Sequence, residues 1–406
     1  MNKPYSSNLY LAIFIAALGY FIDVYDIILF NAVRVESLKA LGLTGDELIS
    51  TGIHLINLQL WGMLLGGLCW GMIGDRFGRL YILFGSIFIY SSATLLNAFI
   101  THVEWYGSLR FLAGFGLSGE LGAGIALISE LMTPRNRGYG TMIIVTSGAL
   151  GSVFGGLVSA YLSWKTAYLI GGLSGFMLLF LRVRLSESTL FKSQSSYRSM
   201  TSHLYIIFFR KRTFIKYVVC LFIGMPFWVF AGLFVTFAPE LALHLELNQT
   251  VTSGHAILFW AIGLTSGNIA SSLLSQKIQS RKKVTLFFLS FTLFSVILLF
   301  HLSVKSVSFF YLLYGIIGFG CGSWAIFNML TAEQFGTNIR ATVTTSLPNF
   351  VRGMLIPLVA LFTLLNKYYE MTLSLEIISI FTIALAIIST FIIKESFAQS
   401  LDFIEK

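Results

Sequence analysis

Long apolar runs separated by short polar breaks dominate the chain. Twelve such runs lie at about 8–32, 51–73, 80–101, 105–128, 140–163, 166–182, 214–236, 253–275, 284–303, 308–330, 343–366 and 373–393. A helix needs roughly 20 apolar residues to cross the hydrocarbon of a bilayer, so each run predicts a transmembrane helix. The sharpest break is Gly74-Asp75-Arg76-Phe77-Gly78-Arg79, between the second and third runs. Charges in a break this short must sit where a helix hairpin turns over at the water surface. Its two glycines keep the turn tight.

Composition agrees with the pattern. Hydrophobic residues make up 56% of the chain and charged residues 11%, with a mean hydropathy of +0.81. A soluble domain carries roughly 25% charged residues. The net charge of +9 raises the question of nucleic acid. The basic residues fall between apolar runs, however, which fits membrane orientation and predicts no nucleic-acid partner. Cys69, Cys220 and Cys321 have no metal-ligand spacing, and no metal or other cofactor is expected. No Gly-x-x-x-x-Gly-Lys-Ser/Thr loop occurs, which argues against ATP drive within the chain. No cleavable-signal pattern is present, and the first run is long enough to remain as a span.

An even number of spans puts both termini on one side. On that side the breaks and ends collect twenty Lys and Arg residues, against five on the other. The positive-inside rule then makes both termini cytoplasmic. The longest inner segment, 183–213, is basic and predicts a cytoplasmic linker between two six-helix bundles, 1–182 and 214–406. Two bundles around a midplane site is a transporter plan. Gly114, Gly116, Gly119, Gly122 and Gly124 suit close helix packing.

Several motifs carry a resemblance over almost the whole chain. Gly74 to Arg79, the run Arg110 to Glu120, and Glu130 with Pro134, Arg137 and Gly138 are three of them. Glu187-Ser188 and the set Glu333, Phe335, Arg340 and Ala341 are two more. Together the chain resembles the major facilitator superfamily. Asp23-Val-Tyr-Asp26 and Arg110 to Glu120 are most similar to its metabolite, aromatic-acid and sialic-acid proton symporters. The resemblance implies an all-α integral membrane protein of the major facilitator fold. It also implies a cytoplasmic gate made of Gly74, Asp75, Arg76, Gly78, Arg79, Glu130, Arg137, Glu187, Glu333 and Arg340. Asp75 is suited to the positive N-terminus of the eleventh span, near Ala341. The matching break after the eighth span, Ser275 to Lys283, lacks both Asp and Gly and predicts an unequal second half of the gate. A role for Arg76 and Arg79 in topology alone is the competing expectation.

Ionisable residues at membrane depth are costly and point to function. At about 1.5 Å rise per residue, Asp26 lies about 27 Å along the first span and Arg110 about 8 Å into the fourth. Both then sit at a similar height. Asp23, Asp26 and Arg110 are expected to form one proton-coupling trio, with an Asp26–Arg110 structural lock as the alternative. Glu120 is either a second proton stop or a partner for inner-loop cations. Arg352, alone in the second half, is expected to hold a substrate carboxylate or to pair with an acid of the first half. Tyr25, Asn57, Trp324, Asn328 and Asn349 complete the expected substrate-binding set. Pro226, Pro348 and Pro357 predict bends in the seventh and eleventh spans.

The function expected is proton-coupled symport of a small organic anion by alternating access, with uptake as the direction. The partners expected are protons, the small-molecule solute and the lipid bilayer. The protein is expected to be a monomer, not an enzyme, in the plasma membrane (the inner membrane if bacterial). A proton-driven exporter and a non-transporting membrane sensor are the alternatives. Gradient-dependent uptake separates the first from symport, and counterflow separates the second.

Overall fold

The computed structural model describes residues 7–183, 200–247, 249–302 and 305–405. Glu187 lies outside the described residues, as does much of the expected linker. Within the remainder of that linker, Met200–Phe208 is a short helix.

Among the described residues, twelve helices are long and apolar enough to cross a membrane. They are α1 (Leu9–Ala40), α2 (Ser50–Phe77), α3 (Arg79–Asn97), α4 (Val103–Leu131), α5 (Arg137–Ser159) and α6 (Trp164–Arg182) in the first half. The second half holds α7 (Lys211–Phe234), α8 (Gly254–Ile278), α9 (Arg281–His301), α10 (Val307–Gln334), α11 (Arg340–Leu365) and α12 (Met371–Ile392). The first run ends later than its apolar pattern predicts. α1 continues past the hydrocarbon through Arg34 and Lys39 and stops before Gly42, at φ +90°. The end at which α1 begins and α12 finishes is called proximal below, and the opposite end distal.

The two halves meet along α2 against α11 and α5 against α8, a reciprocal arrangement. α4 also touches α11, and α5 touches α10. Glycines allow the approach. A Cβ on Gly71 would stand 2.4 Å from the Thr342 Cα, and one on Gly122 would stand 2.4 Å from the Thr345 Cα. Gly71→Val should therefore hold the halves apart at the proximal end. Overpacking of this kind costs about 1–3 kcal/mol. Spin-label distances between proximal ends should lengthen, and an unchanged distribution would count against a tight α2–α11 contact.

Several long helices are interrupted part-way along their length. α4 breaks at Ser118-Gly119, and α10 breaks at Gly322-Ser323. α11 breaks at Met354, next to Gly353. Pro357 lies four residues beyond Gly353, whose carbonyl its ring would crowd in a continuous helix. In α7 a π-helical turn, Val229–Phe234, follows Pro226.

The chain after α12 folds back over the proximal end. Glu395 caps α9, accepting from the Arg281 N–H at 2.9 Å, the Lys282 N–H at 3.3 Å and the Ser280 hydroxyl. Burial pushes the Glu395 carboxyl up. The bonds from Ser280 and the N–H groups of Arg281, Phe397 and Lys282 outweigh it and hold the group below the usual range. A carboxyl lowered by folding stabilises above its unfolded value, about 4.3, and loses that contribution as pH falls through its lowered value. Melting temperature should thus fall more steeply below about pH 4 in the wild type than in Glu395→Gln. Parallel curves would remove Glu395 from the acid response.

Candidate functional site

The proximal ends of the helices are tied by two buried ion clusters of matching design. In the first, Arg79 opens α3 because Gly78, at φ +113°, turns the chain where a Cβ would strain it. Arg79 Nη1 donates to the Gly74 carbonyl at 3.0 Å, and Nη2 donates to Glu130 Oε1 at 2.7 Å. Glu130 closes α4 and also accepts from Arg340 Nη1 of α11 at 3.1 Å. In the second cluster, Glu333 near the end of α10 accepts from Arg137 Nε of α5 at 2.8 Å. It accepts also from Arg281 Nη2, the first residue of α9, at 3.3 Å. Each acid therefore holds one arginine of its own half and one of the other.

Asp75 adds a link at the start of α11. Its Oδ1 accepts from the Ala341 N–H at 3.0 Å, and its Oδ2 from the Thr342 N–H at 2.8 Å and hydroxyl at 2.7 Å. A carboxylate there satisfies orphan N–H groups and meets the positive end of the helix dipole. Arg76 departs from the expected gate. It is exposed and lies over the Phe77 ring at 4.9 Å.

The unequal second half needs correction. Arg281 was missed, although it occupies in α9 the first position that Arg79 occupies in α3. The asymmetry that remains is the missing acid and the turn, made by Gln279 at φ +56° where the first half uses Gly78. Arg79, Arg137 and Arg340, expected in the gate, and Arg281 are all fully buried.

Deeper in the membrane, the expected trio divides. Asp26 Oδ2 stands 3.6 Å from Arg110 Nη1, and Asp26 Oδ1 accepts from the Thr94 hydroxyl at 2.8 Å. The Arg110 guanidinium is fully buried and makes no hydrogen bond within 3.5 Å. Two ring faces hold it, Phe30 at 5.3 Å and Tyr168 at 5.1 Å. The Tyr168 hydroxyl bonds Tyr106 at 2.7 Å, which bonds Ser37 at 3.0 Å.

Asp23 faces elsewhere. Three residues of α-helix rotate a side chain by about 300°, or about 60° short of a turn. That difference sends Asp26 into the first half and Asp23 towards the interface. Asp23 is fully buried, neither oxygen has a hydrogen-bond partner, and the charge acting on it most strongly is Arg352 of the other half. Arg352 is thus not solitary.

Glu120 is bound by Arg182 through Nη1 at 2.8 Å and Nη2 at 2.5 Å, and by the Ser86 hydroxyl at 2.8 Å. The expectation for Glu120 is a second proton stop or a partner for an inner-loop cation. Arg182 instead ends α6 inside the bundle, with no exposed surface.

The interface around Arg352 is aromatic. Its guanidinium lies 5.3 Å from the Trp228 ring, its Nη1 donates to Asn349 Oδ1 at 3.1 Å, and its Nε has no partner. Asn349 Nδ2 reaches the other half at the Ser118 carbonyl, 2.9 Å away, where α4 breaks. Trp324 stacks between Phe227 at 4.4 Å and Phe327 at 4.8 Å. Asn328 Nδ2 donates to the Trp324 carbonyl at 2.8 Å. Tyr20, which the sequence did not single out, is buried and faces the side chains of Trp324 and Arg352 across the interface. It lies three residues before Asp23, about one helical turn away on α1.

One expected substrate residue stands apart. The Tyr25 hydroxyl donates to the Ala167 carbonyl at 2.8 Å, inside the first half. That bond and the packing of its ring on Phe154 take Tyr25 away from the interface. Asn57 is half-buried on α2.

Twelve spanning helices in two halves, closed at one end by paired ion clusters, define a multi-pass membrane transporter. The chain belongs to the Major Facilitator Superfamily, whose model matches residues 9–354. It is 24% identical over 389 residues to the sialic acid transporter NanX of Escherichia coli (strain K12), covering 93% of this chain and 92% of that one. It is 29% identical over 191 residues to the niacin transporter NiaP of Acinetobacter baylyi, covering 46% and 43%. Its fold is similar to that of the proton:xylose symporter XylE, with a TM-score of 0.77, 14% identity and 98% of each chain covered.

Proposed function

We propose that the protein takes up a small organic monocarboxylate together with a proton, binding it between the halves at Arg352. The observation that carries this reading is a set of buried, unpartnered polar atoms at one place. They are both Asp23 oxygens, Arg352 Nε and Trp228 Nε1. Buried polar atoms are nearly always satisfied. A cluster of unsatisfied ones from both halves marks a position built for something that comes and goes. Two relatives with different named solutes, niacin and sialic acid, have one chemical feature in common, a carboxylate. Trp228, Trp324 and Phe227 offer ring faces for the body of the solute, and Asn349 orients Arg352.

Asp26 and Arg110 carry the proton step. The pair is buried, its contact is long, and Arg110 is held by rings rather than by hydrogen bonds. Protonating Asp26 therefore breaks no bond to an arginine shorter than 3.6 Å. Glu120, with three donors, anchors α4 to α6 and α3. The bias of Lys and Arg places the proximal end in the cytoplasm. Closed ion clusters there make this the state with the cytoplasmic gate shut, and opening would require both to part.

The test is uptake of labelled nicotinate by proteoliposomes, with and without an inward proton gradient. Accumulation that ignores the gradient sinks the symport reading. Arg352→Ala should weaken binding at least about tenfold, since a hydrogen bond to a charged group contributes about 1.5–3 kcal/mol. Arg352→Lys should restore part of it, lacking the planar fork. Unchanged affinity in Arg352→Ala would remove that residue from the solute site.

A further inference from the structure

The segment after α12 is built into the closed proximal end. It starts on the second half, where Glu395 caps α9, the Ser396 hydroxyl donates to Glu333 Oε2 at 2.7 Å, and the Arg281 guanidinium lies over the Phe397 ring at 4.8 Å. Ala398 then adopts φ +58°, uncommon for a residue with a side chain. The next residue, Gln399, offers its carbonyl to Arg137 Nη2 of the first half at 2.6 Å. The chain returns to the second half at once. The Leu401 carbonyl accepts from Arg340 Nη2 at 2.7 Å and from the Thr337 hydroxyl at 2.8 Å. The Phe403 carbonyl accepts from the Thr337 N–H at 2.9 Å, and Glu405 pairs with Lys216 at 2.5 Å. Gly336 leaves the room this needs. A Cβ there would lie 2.6 Å from the Glu405 nitrogen and 3.0 Å from the Phe403 oxygen.

We infer that residues 394–405 form a strap that fastens the proximal gate in its closed state. The strap is fixed to the second half along both its flanks and grips the first half at Arg137, the same residue that crosses to Glu333. Arg137 and Arg340 each cross between the halves to an acid, and each gives one side of its guanidinium to that acid and another to a strap carbonyl. When the halves part, Arg137 must leave Gln399 and Glu333 together. Arg340 must leave Glu130, but it keeps its bond to Leu401. The strap therefore adds stabilisation to the closed state that the open state lacks, and it does so without touching the solute site.

The inference is tested without a solute. Spin labels go on the exposed positions 76 and 283, one in each half, as Arg76→Cys and Lys283→Cys with the three native cysteines replaced. Distances are read by pulsed electron resonance in lipid nanodiscs. Two variants are compared with the full chain, a truncation after residue 393 and Gly336→Val, which displaces the strap while leaving every strap residue in place. Each should raise the ratio of long to short distances by about tenfold, the effect of losing one hydrogen bond to a charged group. If the truncated chain does not fold, Gly336→Val alone decides. A lowered melting temperature with an unchanged distance distribution would make the segment a brace of the second half only, and would overturn the inference.

Discussion

Asp26→Asn should leave the protein able to exchange solute across a membrane but unable to concentrate it. With one proton per solute, each unit of pH gradient supports about tenfold accumulation, since a tenfold ratio corresponds to about 1.4 kcal/mol. The variant should equilibrate at a ratio of about one, whatever the imposed gradient. Asparagine keeps the shape of the side chain and can still accept from Thr94, which now bonds Asp26 at 2.8 Å. Arg110 stays between the Phe30 and Tyr168 rings, so the first half should keep its packing. What is lost is the titrating oxygen beside the guanidinium. Counterflow and gradient-driven uptake, measured on the same vesicles, check this. Accumulation that still follows the gradient would move the proton site away from Asp26, with Asp23 next in line.

The second large effect is expected at the ion clusters. Glu333→Gln should leave Arg137 and Arg281 buried beside a neutral amide. Removing one partner of a buried pair costs about 3–5 kcal/mol, because the remaining charge stays out of water. Glu130→Gln should act in the same way on Arg79 and Arg340. Both variants should melt earlier in detergent, and both should favour the proximally open state. Glu333→Gln should be the more severe, since Ser396 of the strap also binds Glu333. Equal melting temperatures for wild type and either variant would show that the clusters add nothing to the closed form.

The twelve spans were legible because the bilayer forces apolar length on a helix, whatever its neighbours. The breaks were less so. Ser118-Gly119 and Gly322-Ser323 interrupt α4 and α10 inside runs that read as continuous, since a break whose carbonyl is met by a side chain of a neighbouring helix needs no polar signal of its own. The acids and arginines of the site stood out by type, but type does not give direction. Asp23 and Asp26 read as one unit, and the helical rotation between them sends each to a different partner. Arg182 and Arg281 read as loop charges because both sit at the last or first position of a helix, where a side chain can turn inward or outward with no change in the sequence pattern. The role of the final segment was illegible. It grips the crossing arginines Arg137 and Arg340 through backbone carbonyls, which every residue has.

The first part of α11 bears on how easily the halves move. Its Thr344 and Thr345 hydroxyls donate to the Arg340 and Ala341 carbonyls one turn back, at 2.9 and 2.6 Å. The surface they present to Gly71 and Gly122 is therefore polar in composition but mostly satisfied within its own helix. Two such surfaces slide with little friction, because few bonds must be traded at each step. The exceptions are the weak Thr345 contact to the Gly67 carbonyl at 3.0 Å and the Asn349 bond to Ser118. Resistance to motion is then concentrated at the charged helix ends. The speed of the rocking cycle should respond to changes there far more than to changes along the helix middles.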